Sequence, residues 1–327
     1  MTAFIVRRLL AMIPTLFFVS IACFVIIQLP PGDFLTSLQA LAASSGSGAD
    51  QAAMDNLRHQ YGLDQPKWVR YVKWVSGFPR GDFGYSFEWK RPVRELVGDR
   101  LGLTILLSGL SLVLMWIVAV PIGIYSATHQ YSGTDNLLTA LAFLGLSVPD
   151  FLLGLVYVSI GIFVFHVSVT GLVSPGLVDA SWSLRKVFDL SNHLFWPALF
   201  LALAGMTQLI RILRGSMLEV VGQQFVGTAR AKGLSEQVVI HKHAVKVAIN
   251  PLVSVMGMQL PQLISGATIL GIVLSLPTTG PMFIRALTSQ DMYLAGTFLL
   301  FLALMLMVGN LVADVALAWI DPRIRYQ

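Results

Sequence analysis

Six stretches of the chain stay apolar for many residues: 9–29, 102–127, 136–166, 194–213, 252–276 and 293–319. A helix rises 1.5 Å per residue, so crossing a hydrocarbon layer about 30 Å thick takes roughly 20 such residues. The pattern predicts six transmembrane helices in an all-α polytopic membrane protein. A membrane β-barrel would instead alternate apolar and polar residues over short segments. The first run ends at Pro30-Pro31 rather than at a small-residue cleavage site, which favours a retained anchor over a signal peptide. The third run is longer than one straight crossing needs and has Pro149-Asp150 near its middle. A missing backbone N–H and a ring clash predict a kink there.

The polar intervals set an orientation. Arg7 and Arg8 precede the first run and hold the N-terminus in the cytoplasm. Residues 30–101, 167–193 and 277–292 then lie outside, and 128–135, 214–251 and 320–327 inside. The inside loop 214–251 carries Arg214, Arg230, Lys232, Lys242 and Lys246 against Glu219 and Glu236, and the tail adds Arg323 and Arg325 against Asp321. The long outside loop has nine basic and eight acidic residues, and a loop of that length largely escapes the positive-inside rule. It reads as a soluble-like insert with a flexible tip, SSGSGAD at 44–50. Its rings Trp68, Tyr71, Trp74 and Trp89 suit either the membrane interface or a small packed cap.

Composition agrees. The chain is 55% hydrophobic and 12% charged, with a mean hydropathy of +0.73, whereas a soluble domain carries about 25% charged residues. The net charge of +5 is spread over membrane-flanking loops with no aromatic-interleaved patch, which argues against a nucleic-acid partner. The single cysteine, Cys23, excludes an intrachain disulfide.

Candidate chemistry is sparse. There is no G-x-x-x-x-G-K-[ST] phosphate loop and no H-E-x-x-H. His241 and His243 are two apart and point to different faces of a helix, so no metal site is expected. Gly46-Ser47-Gly48 matches an intramembrane serine-protease motif by letters alone, in a polar loop. No Ser/His or Asp/Asp pair shares one depth, and His166 is a lone histidine at a span end, so no catalytic residue is assigned.

Two features stand apart. Asp150 is an ionisable group at membrane depth, and such groups usually face a bundle interior or a water-filled path. It either lines a path and meets a cationic group, or caps the half-helix after the kink. The second feature is FVGTARAKGLSEQVVIHKHAVKVAINP at 225–251, a basic passage between apolar walls. Gln224 to Lys232 can form a short helix, Gly233 suits the left-handed residue that ends it, and Ser235 with Glu236 can open the next. The second helix should run to Asn250-Pro251, with Lys242 and Lys246 on one face. A first helix of about nine residues is marginal alone in water. It either docks against an acidic partner groove through Arg230 and Lys232, or lies on anionic headgroups.

The same segment carries a resemblance. TARAKGLS (228–235), MTAFIVRRLL at the start, PPGDF (30–34), YGLDQP (61–66), GDFGYSF (81–87) and DPRIRY (321–326) resemble the permease subunits of bacterial ABC importers, in the dipeptide/oligopeptide branch. The resemblance implies a first helix and extracytoplasmic insert at 1–98, a type I ABC importer core at 99–320 and a cytoplasmic tail at 321–327. It implies that Thr228, Ala229, Arg230, Ala231, Lys232 and Gly233 couple the permease to an ATP-binding subunit. ATP and magnesium would then sit on partner chains and this chain would bind no cofactor. The implied partners are two ATP-binding subunits, a second homologous permease and an extracytoplasmic solute-binding protein. The implied place is the bacterial cytoplasmic membrane, with both termini cytoplasmic.

The sequence departs from the family pattern at several positions. Gly227 and Thr228 stand where glutamate and the first alanine of the coupling motif are usual. Gly271 replaces a usual glutamate, Thr278 a glycine, and Asp150 a serine. Asp150 and Gly271 are the candidate translocation-path residues. Thr278, Arg285 and Asp291 are candidate contacts for the binding protein, with solvated loop charge as the alternative for Arg285 and Asp291. Asp314 matches the family pattern near the cytoplasmic end, in a structural role. The expected function is import of peptides or peptide-like solutes. The alternatives are the same role for a nickel chelate, glutathione or a sugar conjugate, or an ion-coupled secondary transporter with Asp150 in the path.

Overall fold

A computed structural model describes residues 2–44 and 51–320. The loop tip from residue 45 to 50, including Gly46-Ser47-Gly48, and the tail 321–327 with DPRIRY lie outside the described residues. In chain order the helices are α1 (Thr2–Ile27), α2 (Phe34–Ser44), α3 (Gln51–Gln60), α4 (Lys67–Gly77), α5 (Val93–Thr128), α6 (Gly133–Ser147), α7 (Asp150–Phe163) and α8 (Leu184–Val221). Then come α9 (Gln224–Ala231), α10 (Glu236–Val238), α11 (Val245–Ala248), α12 (Asn250–Val273), α13 (Thr279–Thr288) and α14 (Met292–Ile320). A two-stranded antiparallel hairpin, β1 (Tyr85–Ser86) with β2 (Arg91–Pro92), lies before α5.

Among the described residues five helices are long and apolar enough to cross a membrane: α1, α5, α8, α12 and α14. The remaining predicted crossing, 136–166, is broken rather than kinked, because α6 and α7 meet at 93°. Val148 and Pro149 are both extended, with ψ of 120° and 141°. Proline bars its predecessor from helical geometry, and here the restriction spreads over two residues. The halves of 15 and 14 residues span about 22 and 21 Å, so neither crosses alone. The count is therefore five spans, or six if the bent pair is one.

Contacts divide the chain into two compact units. Among the described residues, one comprises 2–5, 104–277 and 306–320, and the other 6–44, 51–103 and 278–305. Residues 278–305, expected within a core 99–320, thus belong with the insert. In the first unit α8 is the central helix, burying Leu209, Leu213 and Met217 completely together with Leu252 and Leu270 of α12. The C-terminal half of α14 packs on α12 at Gly257 and Gly309. A Cβ on Gly257 would come 2.6 Å from the Asn310 nitrogen, and one on Gly309 would come 2.6 Å from the Gly257 carbonyl oxygen. Small residues permit such backbone approach between membrane helices.

In the second unit an aromatic cluster joins Phe24, Phe34, Tyr61, Trp74, Phe87 and Tyr293. Trp74 is 3% exposed and Trp68 is 70% exposed, so the rings divide between the two expected roles. Tyr71 joins the packed cap, its hydroxyl 2.8 Å from Ser20 Oγ, and Trp89 lies under the Arg285 guanidinium at 5.5 Å.

Candidate functional site

The passage between α8 and α12 is a compact corner. In α9, Val226 and Ala229 are three residues apart and are buried against the α8-centred core. That docking supplies what eight helical residues lack alone in water. The helix ends as the sequence predicts: Gly233 has φ +77°, and Lys232 N–H reaches the Thr228 carbonyl at 3.1 Å. A Cβ on Gly233 would touch nothing within 4 Å, so glycine is needed there for backbone conformation alone. Arg230 closes the corner, donating to Glu236 through Nη2 at 2.7 Å and Nε at 3.1 Å.

The second helix departs from expectation. Ser235 sits at the head of α10 but makes no side-chain capping bond. The expected single helix to Asn250 is α10, a π-helical turn Val239–Ala244, and α11. The π turn buries Val239, Ile240 and Ala244 on the same core. The extra residue in that turn rotates α11 relative to α10, a device frequent at functional sites. Of the six expected coupling residues, Thr228, Arg230, Ala231, Lys232 and Gly233 are exposed, and Ala229 faces inward. Phe225 and Leu234, each 40% exposed, flank them as apolar surface.

A second arrangement forms at the α6–α7 break. Asp150 opens α7 and lines a cavity of about 250 Å³ with Gln208 and Arg211 of α8 and Gln259 and Gln262 of α12. Asp150 Oδ1 accepts the Phe151 N–H at 2.8 Å, which is part of the capping role. Oδ2 faces Gly266, where a Cβ would stand 3.1 Å away. Gln259 is 4% exposed; its Oε1 accepts the Trp116 indole N–H at 3.4 Å, and its Nε2 has no partner. The other candidate path residue, Gly271, is not in the cavity wall. It is buried at the end of α12, its carbonyl accepting the Leu276 N–H at 2.8 Å.

Two of the three expected binding-protein contacts, Asp291 and Thr278, are buried. Asp291 is 0% exposed, and its carboxylate accepts the Ser86 hydroxyl, the Glu88 N–H at 3.2 Å and the Leu294 N–H at 3.3 Å. Burial pushes its carboxyl above the usual carboxylate range, against the pull of those hydrogen bonds. It is an internal staple between the hairpin and the start of α14. Thr278 is also 0% exposed. Arg285 alone of the three reaches the surface, its Nε donating to Glu88 at 2.9 Å.

Sequence reasoning missed the cavity's amides and Arg211. Their signal is spacing: Gln208 with Arg211, and Gln259 with Gln262, are each three apart inside apolar runs and share a helix face. It also missed a buried latch. Asp135 at the start of α6 accepts from Arg214 Nη2 at 3.0 Å and from the Tyr131 N–H at 3.0 Å, while Arg214 Nε reaches the Ser126 carbonyl at 3.4 Å. Arg214, read from sequence as a loop charge, lies within α8.

Comparison with known proteins decides the family. The profile described as the binding-protein-dependent transport system inner membrane component matches residues 119–326, and its N-terminal companion matches residues 1–108. The chain belongs to that family. Among its relatives, the oligopeptide transport system permease protein AppB of Bacillus subtilis (strain 168) is 36% identical over 100% of both chains. The oligopeptide transport system permease protein OppB of Mycobacterium bovis is 32% identical over 99% of each, and the glutathione transport system permease protein GsiC of Escherichia coli O1:K1 / APEC is 32% identical over 100% of each. A solved structure of inward-facing conformations of the MetNI methionine ABC transporter aligns with a TM-score of 0.49 and 15% identity, covering 69% of this chain and 96% of that one. Family membership makes this chain an integral inner membrane component of a transport system that works with a binding protein.

Proposed function

We propose that the chain is the permease subunit of an ATP-driven importer that moves peptides or peptide-like solutes from an extracytoplasmic binding protein into the cytoplasm. The observation that carries this is the α9 corner: a short helix anchored inward by Val226 and Ala229, presenting Thr228, Arg230, Ala231 and Lys232 outward. Two ATP-binding subunits, holding ATP and magnesium, engage such corners on this chain and on a second, related permease. Both termini lie in the cytoplasm. Since α9 and the π turn pack on the α8-centred core, force on the corner reaches α8 without bending an unsupported loop. A partner can shift the inward–outward equilibrium only through a free-energy difference between those states. A docked rigid corner is the lever through which the partner applies it. The relatives named for oligopeptides support the peptide class, and the glutathione relative fits a peptide-like solute.

The test is reconstitution in proteoliposomes with the two ATP-binding subunits, the companion permease and the binding protein. Gly233→Val puts a β-branched residue at φ +77° and should abolish ATP-driven uptake while the protein still inserts and purifies as a folded monomer in detergent. Uptake driven by an ion gradient with no ATP-binding subunit present would refute the importer.

A further inference from the structure

Five polar side chains converge on the cavity at the α6–α7 break, and two of them are ionisable: Asp150 and Arg211. All lie within stretches of the chain that otherwise read as membrane-embedded. Charged and amide groups at such depth are costly and normally mark a path or a partner. Among the described residues neither Asp150 nor Arg211 is ion-paired, to the other or to a third group. Helix capping uses only one Asp150 oxygen, and the other is left facing the space that Gly266 keeps open. Gln259, 4% exposed with its amide nitrogen unpartnered, adds a buried donor to the same wall. A buried donor without an acceptor costs free energy unless a ligand or water supplies one.

We propose that this cavity is a solute subsite that reads both charges of a dipolar solute of dipeptide size. Asp150 takes the ammonium end, Arg211 takes the carboxylate end, and Gln259 and Gln262 face the amide between them. Opposite charges held apart across about 250 Å³ suit a zwitterion better than a lone ion, which would leave one of them unmatched. The volume is near the lower end of small-molecule sites, which begin at about 300 Å³, so one peptide unit fills it. The proposal rests on the importer reading and adds a chemical class for its pathway.

The experiment uses the assembled transporter in proteoliposomes with three probes: dialanine, N-acetyl-dialanine and dialanine amide. Uptake by each variant is expressed relative to wild type for the same probe, so the binding protein's own preferences cancel. Asp150→Asn should lower uptake of dialanine and its amide by about tenfold to a hundredfold, the worth of a charge-assisted hydrogen bond. It should leave the N-acetyl form within about twofold. Arg211→Gln should show the mirror image, sparing the amide and penalising the two probes with a free carboxylate. Copurification with the ATP-binding subunits at the wild-type ratio checks that each variant folds. Equal losses on all three probes, or no loss on any, would overturn the subsite while leaving ATP-driven import intact. Loss of ATP dependence in the wild type would sink the importer reading instead, and the same vesicles read it.

Discussion

At the scale of single residues, the buried latch and the exposed corner test the same physics in opposite limits. The Asp135 side chain is 2% exposed and that of Arg214 is 31% exposed, with 3.0 Å between their charged atoms. Removing one partner of a buried pair strands the other, and the cost depends on whether the survivor can reach water. Arg214→Met should therefore destabilise the protein by about 3 kcal/mol, measurably more than Asp135→Asn, in chemical unfolding followed in mild detergent. Equal costs would mean that Asp135 rehydrates. Across the corner, the hydrogen bonds from Arg230 hold the Glu236 carboxyl below the usual glutamate range. A depressed carboxylate contributes stability that is present above its unfolded pKa, about 4.3, and is lost as pH falls through the folded value. Hydrogen-exchange protection of residues 232–236, corrected for intrinsic rates, should drop as pH falls through that window. Glu236→Gln should remove the dependence.

Helices explain which glycines matter. Gly227 lies inside α9, and a Cβ there would meet nothing within 4 Å. Alanine restricts the unfolded chain and favours the helix, so Gly227→Ala should stabilise by about 0.5–1 kcal/mol. Gly257 lies inside α12, where the same substitution would drive a Cβ to 2.6 Å from the Asn310 backbone nitrogen. Overpacking of that kind costs about 1–3 kcal/mol, so Gly257→Ala should lower the melting temperature while Gly227→Ala raises it. A melting temperature unchanged or raised by Gly257→Ala would refute the close crossing of α12 and α14. The elements also show where sequence reading loses length. The apolar run 194–213 lies inside a helix of 38 residues, because polar ends such as Arg214 and Glu219 remain helical once a buried face supports them.

At the scale of the molecule, the apolar runs and the family motifs carried most of what is needed to place this chain in a transport system. The two compact units were not legible in the same way. Residues 278–305 lie between two core segments in sequence and yet pack with the insert, since Asp291 binds Ser86 and the backbone at Glu88. A sequence read locally treats Thr278 and Asp291 as loop polarity facing solvent. Only a hairpin folding back from about 200 positions earlier turns Asp291 into a buried acceptor. The candidate site divides similarly. Gly233 and its corner were readable, because a left-handed helix end is a local property of a few residues.

By itself the sequence determined the membrane class, the apolar crossings, the helix stop at Gly233 and the break point at Pro149. Each arises from composition or from backbone chemistry within a few residues of the feature. The tertiary structure decided which polar groups meet. It brought Asp150, Arg211, Gln259 and Gln262 from three helices to one cavity, paired Arg230 with Glu236, and sealed Asp291 and Thr278 inside. Those outcomes depend on helix rotation, packing and the 93° turn between α6 and α7. Such long-range geometry is set by how whole faces bury against one another, which no local stretch of sequence contains.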